Sequence, residues 1–230
     1  EIIVNSDLII LNYGPISQSY WEIEPGDSLS KFFDDTIIES YLAHIKTASA
    51  EAYSFTDTEV FELSNSLQKD DTGNYRVRLK LPESVLESIP KSRLKFLNEL
   101  MTGASIQDRQ GLILFHNQAA QRIYGLKDQD SIGLSSNDRK WQVQNLDGKN
   151  LTAEDYPTIK AVKANAHLEK EVIAIYNTAK MNRIWLQIDC IPLRFEGLKI
   201  PHAVQCNFIE ISERVQLDQD NRRIYKEEAF

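Results

Sequence analysis

Cysteine is nearly absent from this sequence: Cys190 and Cys206 are the only two in 230 residues. A disulfide-built scaffold is thereby excluded, and with no His or Cys at ligand spacing beside either one, so is a zinc site. The four histidines, His44, His116, His167 and His202, stand apart without motif context. No apolar run approaches the roughly 18 residues of a membrane span. A basic cluster is missing as well, and the formal net charge is −8. That balance argues against a nucleic-acid partner and against a polybasic membrane contact. No basic segment followed by an apolar stretch marks a secretory leader, and the expected location is cytoplasmic. G-x-S-x-G, phosphate-loop and H-E-x-x-H patterns are all absent, so no catalytic residues are assigned and the chain is not expected to be an enzyme. What is present is 42% apolar residues, enough to bury one large core or two small ones. The start at "EIIV", without Met, reads as a piece of a longer protein.

The second half carries the clearest pattern. "ASIQDRQGLILFHN" reads as strand, turn, strand, with Asp108 to Gly111 at the turn. "NQAAQRIYGL" reads as a short helix with Asn117 as N-cap and Gly125 just past its end. Thr152 and Asp155 have the spacing of a capping box opening a longer helix, with Pro157 in its first turn. Ile159 and Val162 of that helix fall on one face. Strands are expected over about 168–176, 183–193 and 200–211. Ile184, Leu186, Ile188 and Cys190 alternate with Trp185, Gln187 and Asp189. Val204, Cys206 and Phe208 alternate with Gln205 and Asn207. One face is apolar in each, as in half-buried antiparallel strands. A hairpin centred near residue 198 sets the two cysteines opposite each other. They read as a buried, reduced core pair, with a strained cross-strand disulfide as the minor alternative. The expected fold is α+β, a curved antiparallel sheet with helices on one side enclosing a cavity.

The pattern recurs at lower strength in the first half. At an offset of 104, Leu8, Ile9 and Tyr20 of "LIILNYGPISQSY" meet Leu112, Ile113 and Tyr124 of "LILFHNQAAQRIY". "EVFEL" (59–63) is like "EVIAI" (171–175), and "NYRVRLKLP" (74–82) is like "NRIWLQIDCIP" (182–192). On this alignment nothing after Pro82 corresponds to strand 200–211. The first unit is either one strand short or closes its sheet with a segment the alignment does not find. The division expected is a first unit over 1–83, a linker helix over 84–101, a second unit over 102–211 and an exit helix over 212–230. Leu94, Leu97 and Met101 form the linker stripe, widened by Phe96 and Leu100.

"DRQGLILFHNQAAQRIYGL" resembles the opening of a PAS domain, with Asn117, Ala119, Ala120, Tyr124 and Gly125 at the matching positions. "DGKNLTAEDYPTIKAVKANA" is similar to the family's long-helix region, and "WLQIDCIPL" to its penultimate strand. "IEISERVQ" resembles the Asp-Ile-Thr-Glu-Arg signature that ends a PAS core, with Glu210 and Ser212 in place of Asp and Thr. The resemblance covers about residues 100–215; over 1–82 it rests mainly on the repeat.

Several expectations follow from that resemblance. The chain would be a tandem PAS sensory module of a bacterial or archaeal signalling protein, whose output is a histidine kinase or a diguanylate cyclase. A ligand or partner would shift a sheet–helix equilibrium. Glu210, Ser212, Glu213 and Arg214 would couple core to exit helix, and Leu217 and Ile224 would form a weak heptad seam with Asn221 between them. The pocket candidates are Tyr124, Ile159, Val162, Leu186, Ile188, Cys190, Val204, Cys206 and Phe208, for a small organic ligand; plain core packing is the alternative. Trp185, Leu94, Leu97 and Met101 are the interface candidates for a homodimer. No cofactor is expected. Haem is disfavoured because residues 153–166 contain no His, and flavin photochemistry because the Asn-Cys-Arg-Phe-Leu-Gln motif is missing. The rival readings are a ligand-free dimerisation module and, less favoured, a small-molecule enzyme.

Overall fold

A computed structural model of the chain describes residues 2–5, 7–13, 23–46, 53–56, 64–69, 73–79, 85–126, 132–135, 141–177, 179–194, 198–218 and 220. The chain divides into two compact units, one of Glu1–Pro90 with Arg194–His202, the other of Lys91–Leu193 with Ala203–Phe230. Among the described residues each unit holds one five-stranded sheet.

The first unit contains β1 (Ile2–Val4), β2 (Ile10–Tyr13), α1 (Asp35–Lys46), β3 (Tyr53–Thr56), β4 (Ser64–Lys69) and β5 (Tyr75–Leu79). Its sheet runs β2-β1-β5-β4-β3, every pair antiparallel. The core is hydrocarbon and ring: Ile2, Val4 and Val77 from the sheet pack with Leu29, Phe32, Phe33, Ile37 and Tyr41. Leu198 is buried in the same core, where it bridges to Phe33, while the Lys199 N–H donates to the Phe32 carbonyl at 2.8 Å.

Two expectations are corrected here. The first sheet has its closing strand: β5 lies between β1 and β4, bonded along Ile2↔Val77 and Leu67↔Val77. Matching Pro82 to Pro192 had set residues 74–82 against the penultimate strand of the second unit, but the pairing makes β5 the equivalent of that unit's last strand. Pro192 lies within β9, which runs on to Arg194, so it marks no strand end to align on. The other correction concerns Arg194–His202, expected within the second unit. An apolar Leu198 finds its burial in the first. The segment "EVFEL" lies outside the described residues.

The second unit begins with α2 (Lys91–Glu99), shorter than the 84–101 expected. Met101 lies past its end and is exposed, so only Leu94 and Leu97 of the stripe belong to the helix, with Leu97 buried. Then come β6 (Gly103–Asp108), β7 (Ile113–His116), α3 (Gln118–Tyr124), α4 (Pro157–Ala164), β8 (Leu168–Asn177), β9 (Asn182–Arg194) and β10 (Pro201–Glu210). The sheet order is β7-β6-β10-β9-β8, the order of the first sheet repeated.

Local chemistry explains these elements. Asp108 Oδ1 accepts from the Gln110 and Leu112 N–H groups at 2.9 and 2.8 Å, closing the β6–β7 turn. Asn117, 1% exposed, does more than cap α3. Its Oδ1 accepts from Ala120 N–H at 2.8 Å and Ala104 N–H at 3.0 Å. Its Nδ2 donates to the carbonyls of Leu97, Leu100 and Thr102 at 2.9, 3.3 and 2.9 Å. One amide thus ends α2, holds β6 and starts α3, satisfying groups that helix termini leave open. Gly125 ends α3 at φ 69°. A Cβ there would strike the buried Asn177 side chain, whose Nδ2 donates to Ile123 O. The Thr152–Asp155 pair opens a 3₁₀ turn over Ala153–Asp155 rather than the longer helix, which starts on Pro157 itself.

Candidate functional site

The inner face of the second sheet follows the period-2 reading: Ile184, Leu186, Ile188 and Cys190 are buried, and Trp185 between them is half-buried. On β10, Val204, Cys206 and Phe208 join the same core. Gly103 on β6 leaves room for the Phe208 ring, which a Cβ at that position would overlap. Phe208 stacks on Tyr124 at 5.0 Å, and Tyr124 meets Trp141 at 5.0 Å. Trp141 is held by its Nε1–H donating to Ser135 O at 3.0 Å.

Between sheet, α3 and α4 lies a cavity of about 50 Å³. Tyr124, Leu186, Ile188, Cys190, Cys206 and Phe208 of the expected set line it. Ile159, Val162 and Val204 do not: the first two are half-buried residues packed on the core, and Val204 is fully buried. Apolar spacing on α4 suggested the 159/162 face. The face actually turned inward carries Pro157, Thr158 and Ala161, because the Thr158 hydroxyl finds a buried partner there.

That partner, Gln107, was missed by sequence reasoning. Thr158 Oγ1 donates to Gln107 Oε1 at 2.9 Å. Gln107 Nε2 reaches Ser105 Oγ at 3.4 Å and Cys206 Sγ at 3.8 Å. Thr158 Oγ1 lies 3.5 Å from Cys206 Sγ, and Cys190 Sγ lies 3.2 Å from Cys206 Sγ. A polar cradle, 51 residues apart in sequence at its Gln–Thr bond, therefore forms one wall of an otherwise apolar cavity. The available signal was a glutamine on the same strand phase as Ser105 in an apolar context. Ile113, Trp141, Val143, Tyr156, Ile173 and Ile175 complete the lining and were also unread.

The electrostatics follow from burial. The Tyr124 phenol is pushed well above its ordinary value by desolvation, with the cysteine sulfurs adding to the effect. Cys190 is raised because it donates to Cys206 and is buried. Cys206 is lowered chiefly by its hydrogen bond with Cys190, against the opposing effect of burial, with the Thr158 contact adding to the lowering. Of the pair, Cys206 is the sulfur more readily deprotonated.

The cavity volume corresponds to roughly three to five waters, and is near a third of the roughly 150 Å³ that holds a benzene. Among the described residues no three His, Cys, Asp or Glu are grouped to hold a metal, and no helix is long and apolar enough to cross a membrane.

The end of the sheet forms a second cluster. Lys180 Nζ contacts both Glu210 carboxylate oxygens at 2.7 and 3.0 Å. Ser212 Oγ donates to Glu210 Oε1 at 3.0 Å and accepts from Trp185 N–H at 3.0 Å, while Ile211 N–H donates to Trp185 O at 2.8 Å. A helix, α5, starts here at residues 212–218. Glu213 and Arg214 lie on its exposed side, and Leu217 is also exposed. Asn221 and Ile224 lie outside the described residues.

Comparison with solved structures finds PAS and LOV domains. The PAS domain of nitrogen regulation protein NR(II) from Vibrio parahaemolyticus is 12% identical over 53% of this chain and 100% of its own, at a TM-score of 0.40. A PAS domain from Colwellia psychrerythraea is 21% identical, covering 54% of this chain and 97% of its own, at a TM-score of 0.41. The LOV domain of a blue-light activated histidine kinase from Erythrobacter litoralis is 17% identical over 50% of this chain and 99% of its own, at a TM-score of 0.40. No family model and no curated protein matches the chain.

Proposed function

We propose that the chain is the sensory part of a signal-transduction protein, built of two PAS-like units, in which the second unit receives a small ligand and passes its occupancy to the helix that follows β10. The single observation that carries this reading is a polar-walled cavity whose floor includes Cys206 and Phe208, on the strand that runs directly into the Glu210–Ser212 junction. A ligand of a few non-hydrogen atoms, with one hydrogen-bonding end for Gln107 and Thr158, suits its size and chemistry. Binding that favours one packing of β10 would bias the helix, because Ser212 and Glu210 tie its start to β9 and Lys180. In this reading Glu210 and Ser212 couple, Glu213 and Arg214 face the next module, and the output domain is covalently attached and carries the catalysis. No resident cofactor is invoked.

Short alcohols, diols and carboxylic acids screened by thermal shift test it. Binders are expected to raise the melting temperature of the second unit and to change amide exchange over 212–218. Ile173→Trp, which fills the cavity, should abolish both effects. Binding that survives Ile173→Trp, or that leaves 212–218 unchanged, would refute the relay.

The dimerisation reading is favoured by one observation: Phe96 and Met101 are 61% and 86% exposed at the end of α2. With Trp185 and Leu94 they would form a homodimer surface. Phe96→Glu with Met101→Glu should then shift sedimentation from dimer to monomer; a monomeric wild type removes the reading.

A further inference from the structure

The two cysteines are the feature that ligand binding leaves unused. Both are buried, Cys190 at 0% and Cys206 at 3% exposure, yet both line the cavity. Structural thiols in apolar surroundings are inert. These differ in having a hydrogen-bond donor set, an adjoining space and each other. Their sulfurs lie 3.2 Å apart across neighbouring strands β9 and β10. Facing residues of paired strands hold Cα atoms about 4.5–5.5 Å apart, inside the range a disulfide spans. A small side-chain shift, without strand rearrangement, brings the sulfurs to bonding distance.

We propose that Cys190 and Cys206 are a dithiol site for a small hydroperoxide of the size of hydrogen peroxide, which converts them to a disulfide on the cavity wall. The inference rests on the reading of the cavity as open to small solutes, and it names a reactive class for that site. Cys206 is the attacking sulfur: Cys190 Sγ sits within donating distance of it, and Gln107 Nε2 contacts it from β6, its amide oriented by the Thr158 hydroxyl that donates to Gln107 Oε1. The Cys206 thiolate attacks one peroxide oxygen, the O–O bond breaks, and a sulfenic acid and hydroxide form. The hydroxide takes the Cys190 proton and leaves as water. The Cys190 thiolate then attacks the Cys206 sulfur, forming the S–S bond and expelling hydroxide, which recovers the proton first lost by Cys206. In sum, two thiols are oxidised by two electrons, one peroxide is reduced, and two waters are released. Closure draws the Cys206 sulfur toward β9 and away from Thr158, loosening the link between β10 and α4.

The test uses the whole chain, reduced and then exposed to a modest excess of hydrogen peroxide. The expected product has lost the mass of two hydrogens, and proteolytic mapping finds Cys190 joined to Cys206. Cumene hydroperoxide, too large for the cavity, should react at least about tenfold more slowly than hydrogen peroxide. Cys190→Ser should accumulate a Cys206 sulfenic acid, read as the gain of one oxygen mass on the peptide that carries Cys206, whereas Cys206→Ser should leave Cys190 reduced. Thr158→Val keeps both thiols and should slow oxidation several-fold, the scale of one hydrogen bond, with Thr158→Ser restoring the rate. Two free thiols after peroxide treatment would overturn the proposal, and so would equal rates for the two peroxides or a sulfenic acid confined to Cys190. No disulfide together with intact binding of small alcohols removes this inference alone. A disulfide formed without any alcohol binding removes only the ligand relay.

Discussion

The two sheets share one strand order and differ in what they enclose. In the first unit the described core is aliphatic and aromatic, from Ile2 and Val77 through Phe32, Phe33 and Tyr41. In the second, Ser105, Gln107, Asn117, Thr158 and Asn177 are buried beside the hydrocarbon. Buried polar groups weaken a core unless each is paired. Each of these five is paired, and Gln107 and Thr158 also line the cavity, whereas the buried polar residues described in the first unit are Ser88 and His202.

The contrast can be broken most strongly in the first unit. Phe32→Ala removes a fully buried ring and is expected to cost about 3–5 kcal/mol. Calorimetry should show the transition of the first unit moving down while that of the second stays; coincident movement of both would mean one cooperative core. Next in size is Asn117→Ala in the second unit. Losing the cap and leaving the Leu97, Leu100 and Thr102 carbonyls short of a donor should cost about 3 kcal/mol. Its signature is early amide exchange at the C-terminal end of α2 as well as at the start of α3, and exchange confined to α3 would reduce Asn117 to an ordinary cap. The smallest effect sharpens the difference between the cores. Thr158→Val alone, which strands Gln107 Oε1, should cost about 1–2 kcal/mol. Paired with Gln107→Leu it should be close to neutral in chemical denaturation, making the second core resemble the first, while binding of small alcohols is lost.

Much of the second unit was legible because its signals are local. The β6–β7 turn, the Asn117 cap, the glycine after α3 and the alternation on β9 and β10 each depend on residues a few positions apart. The Cys190–Cys206 pairing was also legible, since hairpin symmetry about residue 198 and period-2 phase together place the two sulfurs. Legibility failed where a choice lay between two locally equal options. Apolar spacing on α4 did not say that Thr158, not Ile159, turns inward. Nor did the likeness of residues 74–82 to 182–192 say which place in the sheet the strand takes, so β5 was matched to the wrong partner.

Sequence alone determined the alternation of strand faces, the two ends of α3 and the low content of thiol and imidazole chemistry, because these depend on side-chain type and short spacing. Tertiary structure alone decided that Gln107 meets Thr158, that Asn117 ends a helix it does not belong to, and that Leu198 is buried with Phe33. Each of these joins residues far apart in the chain, and a buried polar or apolar group accepts whichever partner the packing brings within reach.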